Sequence, residues 1–302
     1  MYPLGRQFGV DGIKARSDDK TVIQGEKYRI SVLSERVIRL EYSPSGQFID
    51  KPTQLIKKRN LGLPSFSVQQ DNNFLEIKTR YFTLNYIKNK PFLGPRVDPM
   101  KNLKITLMSR DKDRNKDWYY GHPEARNLAG NLVSVDMKIP KQFERGLYSL
   151  DGFASFDDSQ NKIIMEDGTL LDPPTDHVDI YVFMYDRDFR QALLDYFKMT
   201  GAPALIPRYA LGNWWSRNVV YDDNSLNRLI RSFEKHKIPL SVMLFDHDWH
   251  VRNVDNYKDL KTGFSFNRNL FPEPEKTIEN LHKRGIRAVS YTHLTLPTMA
   301  VV

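Results

Sequence analysis

The sequence predicts an antiparallel β-sandwich followed by parallel βαβ units. Three observations carry this reading. The first two thirds of the chain break into many short runs in which apolar and polar residues alternate with period two. Turn clusters, SPSGQ, QQDNN, DDSQN and DGTLLDPP, separate those runs. From residue 189 onward the pattern changes to helix, strand, helix, strand. The first pattern is that of a sandwich, and the second implies parallel strands joined by crossover helices.

The elements follow in order. KYRISVLSERVIRLEYS (27–43) alternates around a polar break at Ser34–Glu35–Arg36, as a hairpin does. FLEIKTRYFTLNYI (74–87) repeats the pattern, and LKITLMS (103–109), NKIIMEDG (161–168) and HVDIYVFMY (177–185) read as further strands. FRQALLDYFKMTG (189–201) sets Phe189, Ala192, Leu193 and Phe197 on one helical face and stops at Gly201. PALIPRY (203–209) is a Pro-punctuated linker, and YALGNWW (209–215) reads as a short apolar strand. DDNSLNRLIRSFEKH (222–236) spaces Leu226, Leu229, Ile230 and Phe233 at i, i+3, i+4 and i+7 behind capping acids. IPLSVMLFD (238–246) is a continuous apolar run, as expected of a strand buried on both faces. FPEPEKTIENLHKRG (271–285) is a helix with acids first and bases last, and IRAVS (286–290) opens a third strand.

The chain has 302 residues and a net charge of +8, from 45 Lys and Arg against 37 Asp and Glu. The bases are mixed with acids, as in KNLKITLMSRDKDRNKDW (101–118), so no one-sign stripe argues for a nucleic-acid partner. There is no cysteine, which removes disulfides, thiolate zinc sites and cysteine nucleophiles. No run reaches the length of a membrane span, and MYPLGRQFGVDG lacks a signal-peptide core. The expectation is a cytoplasmic protein with no membrane partner.

Chemistry concentrates in two stretches. In GNWWSRNVVY (212–221), Trp214 and Trp215 end the first parallel strand. In LFDHDWH (244–250), an apolar strand ends in Asp246, His247, Asp248, Trp249 and His250. Ligands of parallel α/β folds sit at the carboxyl ends of strands, so both clusters lie where a site is expected. A Trp pair on a strand serves either core packing or a sugar platform. A strand-end Asp is commonly a cap or turn residue. Two carboxylates and two imidazoles within five residues, directly after a buried strand, exceed that ordinary use. They suit sugar hydroxyls, with Trp faces holding the ring. They also suit a metal-dependent barrel hydrolase in which Asp246, His247, Asp248 and His250 ligate Zn²⁺ or Mn²⁺. The second use is the weaker, because neighbouring strand side chains point to opposite faces.

The run from Pro203 to Arg287 resembles glycoside hydrolase family 31, the α-glucosidase and α-xylosidase family. The resemblance rests on Pro-Arg-Tyr-Ala-Leu-Gly (207–212), Trp-Trp-Ser-Arg (214–217), Ile-Pro (238–239) and Asp-x-Asp-Trp-His (246–250). It continues through Thr-Gly-x-x-x-Asn (262–267), Phe-Pro-x-Pro (271–274) and Leu-His-x-x-Gly (281–285). Upstream, residues 25–54, 119–131, 146–159 and 179–208 are similar to the family in the same order. The resemblance implies a galactose-mutarotase-like N-terminal β-sandwich with a terminal linker helix (1–203). It implies the start of a (β/α)8 TIM barrel (204–288), incomplete. It implies a retaining α-glycosidase acting on α-linked oligosaccharides without metal or cofactor.

Carried over by position, Asp246 would bind sugar hydroxyls at the scissile subsite, with Asp248, Trp249 and His250 lining or supporting it. Trp214, Trp215 and Arg217 would shape the pocket, and Asp151 in SLDG matches a sandwich loop that reaches the aglycone side. The family's nucleophile and acid/base lie on later barrel strands, so neither role falls on Asp246. A third reading is a carbohydrate-binding sandwich without activity of its own. The last stretch, VSYTHLTLPTMAVV (289–302), departs from the family pattern, and its opening VSYTHL (289–294) looks like a translated sequencing adapter. The expectation is a non-native tail, checked by reading the source gene through codon 302.

Overall fold

A computed structural model describes residues 13, 15–93, 102–109, 116–130, 144–203, 205–245, 248–255, 258 and 263–290. The chain divides into two compact units, Met1–Pro203 and Ala204–Val302.

The first unit holds β1 (Val22–Gln24), β2 (Tyr28–Ser34), β3 (Val37–Tyr42), β4 (Ser67–Gln70), β5 (Phe74–Lys78) and β6 (Phe82–Ile87). It continues with β7 (Leu103–Leu107), β8 (Asp117–Tyr119), β9 (Phe153–Asp157), β10 (Ile163–Ile164), β11 (Leu170–Leu171) and β12 (Val178–Met184). Helix α1 (Phe189–Thr200) follows. One five-stranded antiparallel sheet has the order β1-β2-β3-β12-β9, and a second has the order β4-β5-β6-β7-β8. The two share one core. Ile30, Val32, Ile38, Leu40, Ile180 and Val182 of the first sheet pack with Leu75, Ile77, Phe82, Leu84 and Ile105 of the second.

The first sheet is buried on its other face as well. Leu33, Val37, Tyr181 and Phe183 pack there with Ile56 and with Ala192 and Met199 of α1. Period-two alternation therefore sends Ile38 and Leu40 to the shared core and Arg39 and Glu41 to the α1 side, yet all four are buried. Burial of those charges is offset by pairing. In register, Arg29, Glu41 and Asp179 form one row across β2, β3 and β12. Arg29 donates to Glu41 at 2.6 and 2.9 Å, and Arg39 donates to Asp179 at 2.8 and 2.6 Å. Both guanidinium groups also reach the Ile49 carbonyl, so the segment after β3 is tied onto the sheet.

The face of α1 differs from the sequence reading. Ala192, Asp195 and Met199 are the buried residues, and Leu194 is exposed. Asp195 is held by Gln191, Lys198 and Ser34. Gly201 ends the helix at φ 98°, a backbone conformation that residues with a Cβ rarely adopt, and its N–H donates to Phe197 O.

The second unit holds β13 (Trp214–Trp215), α2 (Asp223–Lys235), β14 (Val242–Phe245), α3 (Pro274–Lys283) and β15 (Arg287–Ser290). The three strands are parallel, in the order β13-β14-β15. Asp222 and Ser225 form a reciprocal capping box at the start of α2. Leu226 and Ile230 of α2, Met243 and Phe245 of β14 and Leu281 of α3 share a core. The first parallel strand is shorter than the sequence suggests, because Arg208–Leu211 form a 3-10 turn and only the Trp pair is in register. The apolar run at 238–246 is also strand only over Val242–Phe245, with Ile238 exposed. The boundary read after residue 288 falls inside β15, since Val289 and Ser290 pair with Leu244 and Phe245. Residues 291–302 lie outside the described residues.

Candidate functional site

The site of the second unit is built where β14 ends. Asp246 and His247 lie outside the described residues. Asp248 has φ 60°, an uncommon conformation for a non-glycine residue, and turns the chain sharply after the strand. Trp249 then drops into the core at 3% exposure, edge-on to Phe266 with ring centres 5.0 Å apart. His250 pairs with Phe266 in an antiparallel bridge. The Val251 N–H donates to Ser265 O at 2.8 Å, and the Asn267 N–H donates to Trp249 O at 2.8 Å. Arg252 folds back so that its Nη1 donates to Asp248 Oδ1 at 2.5 Å. The corner is thus fixed by a core ring, a short antiparallel pairing and an ion pair.

Over this corner lies a cleft of about 460 Å³ lined by Val220, Asp248, His250, Arg252, Asn253, Lys258, Asn267 and Leu270. Val220 follows β13 and Asp248 follows β14, so the cleft sits at the carboxyl ends of parallel strands. Its lining offers a carboxylate, two cationic side chains, two amides and an imidazole, a mixture that can both donate to and accept from hydroxyl groups. Among the described residues, no group of three or more His, Cys, Asp or Glu is placed to hold a metal.

The remaining residues singled out from the sequence are scattered in role. Trp214 is 44% exposed, and its Nε1 donates to Ala210 O at 3.0 Å. Trp215 turns the other way. Its ring is edge-on to Phe233 of α2 at 5.2 Å, and its Nε1 donates to the Tyr221 hydroxyl at 3.1 Å. Adjacent strand residues face opposite sides, so one Trp of the pair packs against the helix and the other stays accessible. Trp215 is half-buried against α2, and Trp249 is buried in the core beneath the cleft. Arg217 is exposed just after β13. Asp151 belongs to the first unit. It is buried, pairs with Arg126 at 3.1 Å and has its N–H bound by Ser149 Oγ.

Sequence reasoning missed Arg252, Asn253 and Lys258, which carry much of the cleft's polarity. Arg252 had a readable signal, since it stands four residues after Asp248 with the opposite charge. A double-mutant cycle measures that pair. Asp248→Asn and Arg252→Met should each lower stability by less than about 1 kcal/mol, because both side chains are partly solvated. A coupling energy near zero in thermal unfolding would show that the pair does not fix the corner.

Also missed was Glu124, in the YYGHPEARN run of the first unit. Its carboxylate accepts hydrogen bonds from the Ser155 N–H and hydroxyl and from Trp118 Nε1, and burial pushes its pKa up. It packs inside the sheet unit, tying the loop after β8 to β9.

Parallel strands with a polar cleft at their carboxyl ends define an α/β domain of the kind that binds ligands at that edge. Residues 203–300 match the Glycosyl hydrolases family 31 TIM-barrel domain. That segment is similar to the barrel domain of glycoside hydrolase family 31. The match spans the Trp pair, the corner after β14 and most of the 289–302 segment. An α-glucosidase of Saccharolobus solfataricus is 29% identical over 175 residues, covering 53% of this chain and 24% of its own length. An α-xylosidase of the same organism is 28% identical over 110 residues, covering 36% of this chain and 14% of its own. This chain thus spans less than a quarter of these relatives. A Flavobacterium johnsoniae dextranase of the same family, complexed with isomaltotriose, superposes with a TM-score of 0.55. It is 17% identical and covers 89% of this chain and 36% of the dextranase, a likeness of fold. Among the described residues no helix is long and apolar enough to cross a membrane.

Proposed function

We propose that this chain is part of a retaining α-glycosidase that acts on α-glucosidic linkages of oligosaccharides. In this reading Met1–Pro203 is the family's N-terminal β-sandwich, and the second unit is the opening of its (β/α)8 barrel. The observation that carries it is the polar cleft at the carboxyl ends of β13 and β14, inside the segment that matches the family's barrel. A pyranose offers a ring of hydroxyl groups, each a donor and an acceptor. Asp248 accepts from them, Arg252 and Lys258 donate, and Asn253 and Asn267 do both. Asp246, the next residue in sequence after Phe245, is assigned to the sugar hydroxyls at the scissile subsite. Trp214 and Arg217 are assigned to pocket walls, and Trp215 and Trp249 to support.

Retention needs two carboxyl groups about 5 Å apart, one attacking the anomeric carbon and one protonating the leaving oxygen. The reading assigns both to later barrel strands and neither to Asp246 or Asp248. It needs no metal. The full-length protein should therefore release p-nitrophenol from p-nitrophenyl α-D-glucoside at the same rate before and after dialysis against EDTA. Activity restored only by zinc or manganese would instead support a metal-dependent hydrolase using Asp246, His247, Asp248 and His250.

A further inference from the structure

His250 carries a polar contact whose sense the geometry fixes. The ring is 6% exposed and lines the cleft. Its Nδ1 lies 3.1 Å from the Val251 carbonyl oxygen. A carbonyl only accepts, so Nδ1 is the protonated nitrogen, and in the neutral ring Nε2 is left as an acceptor. The ring has little freedom to exchange these roles. Trp249 on one side is in the core, with the two rings 5.3 Å apart. The backbone on both sides is bonded to Ser265 and Asn267. The other polar groups of the cleft are an ion-paired carboxylate, two cations and two amides. In the neutral ring, His250 Nε2 is thus the aromatic acceptor of that lining.

We propose that His250 is a substrate-binding residue that accepts a hydrogen bond from a sugar hydroxyl through Nε2, with Nδ1 held by Val251. This rests on the glycosidase reading. The competing role is structural only, in which the Nδ1 bond to Val251 is the whole function of the ring. Two amide substitutions separate them, because an asparagine amide reaches the place of Nδ1 and a glutamine amide reaches that of Nε2.

The test uses the full-length protein and p-nitrophenyl α-D-glucoside. His250→Gln should keep KM within about threefold of the parent, and His250→Asn should raise it about tenfold, the scale of one lost hydrogen bond to a buried acceptor. kcat should move less than KM in both. The reverse order, or two variants that both match the parent, overturns the proposal. Should both variants lose stability, the parent protein decides. Long-range ¹H–¹⁵N spectra should show the Nδ1-protonated tautomer at His250, and adding maltose should move the Nε2 resonance rather than that of Nδ1. An Nε2-protonated ring, or a resonance unmoved at saturating maltose, overturns it. A parent that neither cleaves the glucoside nor binds maltose rejects the glycosidase reading, and the assignment of His250 falls with it.

Discussion

Asp179→Asn should cost the first unit about 3–5 kcal/mol of stability, the usual penalty for removing one partner of a buried ion pair. Asp179 is fully buried and takes two hydrogen bonds from the equally buried Arg39. Both carboxylates beside Arg39 hold its proton more tightly than usual, so it stays charged when a partner is removed. The amide can accept one of the two bonds but returns no charge. Glu41, at 3.0 Å from Arg39, remains but is already engaged by Arg29. Urea unfolding of the full chain, followed by tryptophan fluorescence and circular dichroism, reads the effect. A loss below about 1 kcal/mol would show that Asp179 is solvated and that this row of charges does not hold the segment after β3.

Asp158→Asn should act in the opposite direction, stabilising the first unit at pH 8. Asp158 is 1% exposed. It accepts from the Thr53 hydroxyl at 2.8 and 3.1 Å and from Asn161 Nδ2 at 2.8 Å, with Arg59 Nη2 at 3.8 Å. Burial first, and the charge of Asp179 second, push its pKa up to about 7. In the unfolded chain it titrates near the ordinary value of about 4. Between these values the folded chain binds more protons than the unfolded one. This group's contribution is therefore complete below about pH 4 and is lost as pH rises through about 7.

His177 runs the other way. Burial lowers its pKa from 6.5, so it destabilises the fold as pH falls below that value. The difference between parent and variant isolates Asp158. Asparagine keeps an oxygen for Thr53 and Asn161 without an ionisable proton. Parent and variant should unfold alike below about pH 4, and the variant should gain stability over the parent as pH rises, on the order of a few kcal/mol at most by pH 8. A variant less stable than the parent at pH 8 would mean that the carboxylate is charged and paired with Arg59.

These charges show where reading the sequence stops. Val37–Tyr42 reads as a strand with one polar face, and β2, β3, β5 and β6 stand where alternation puts them. Alternation cannot say that Arg39 and Glu41 are buried, because their cover comes from Ile49, Ile56 and α1, far along the chain or outside the sheet. Strands with little apolar content were illegible for a related reason. Ser67–Gln70 is exposed at all four positions and is a strand only through its ladder with β5. Helix α2 was readable nearly to its ends, because its capping box and its apolar spacing are both local.

The candidate site divides in the same way. Asp248 and His250 were visible as an abrupt polar end to an apolar strand. Asn267 reaches the same cleft only through the pairing of His250 with Phe266, which no local pattern announces. The Trp pair was visible as a pair, but strand geometry divides it between helix packing and the accessible side.

A retaining α-glycosidase is distinguished from an inverting one by the anomer released first. Full-length protein is mixed with p-nitrophenyl α-D-glucoside, and ¹H NMR follows the anomeric protons before mutarotation equalises them. α-Glucose should appear first and relax towards the equilibrium mixture. Initial release of β-glucose would contradict retention, and the absence of any cleavage of the glucoside would contradict the proposed activity itself.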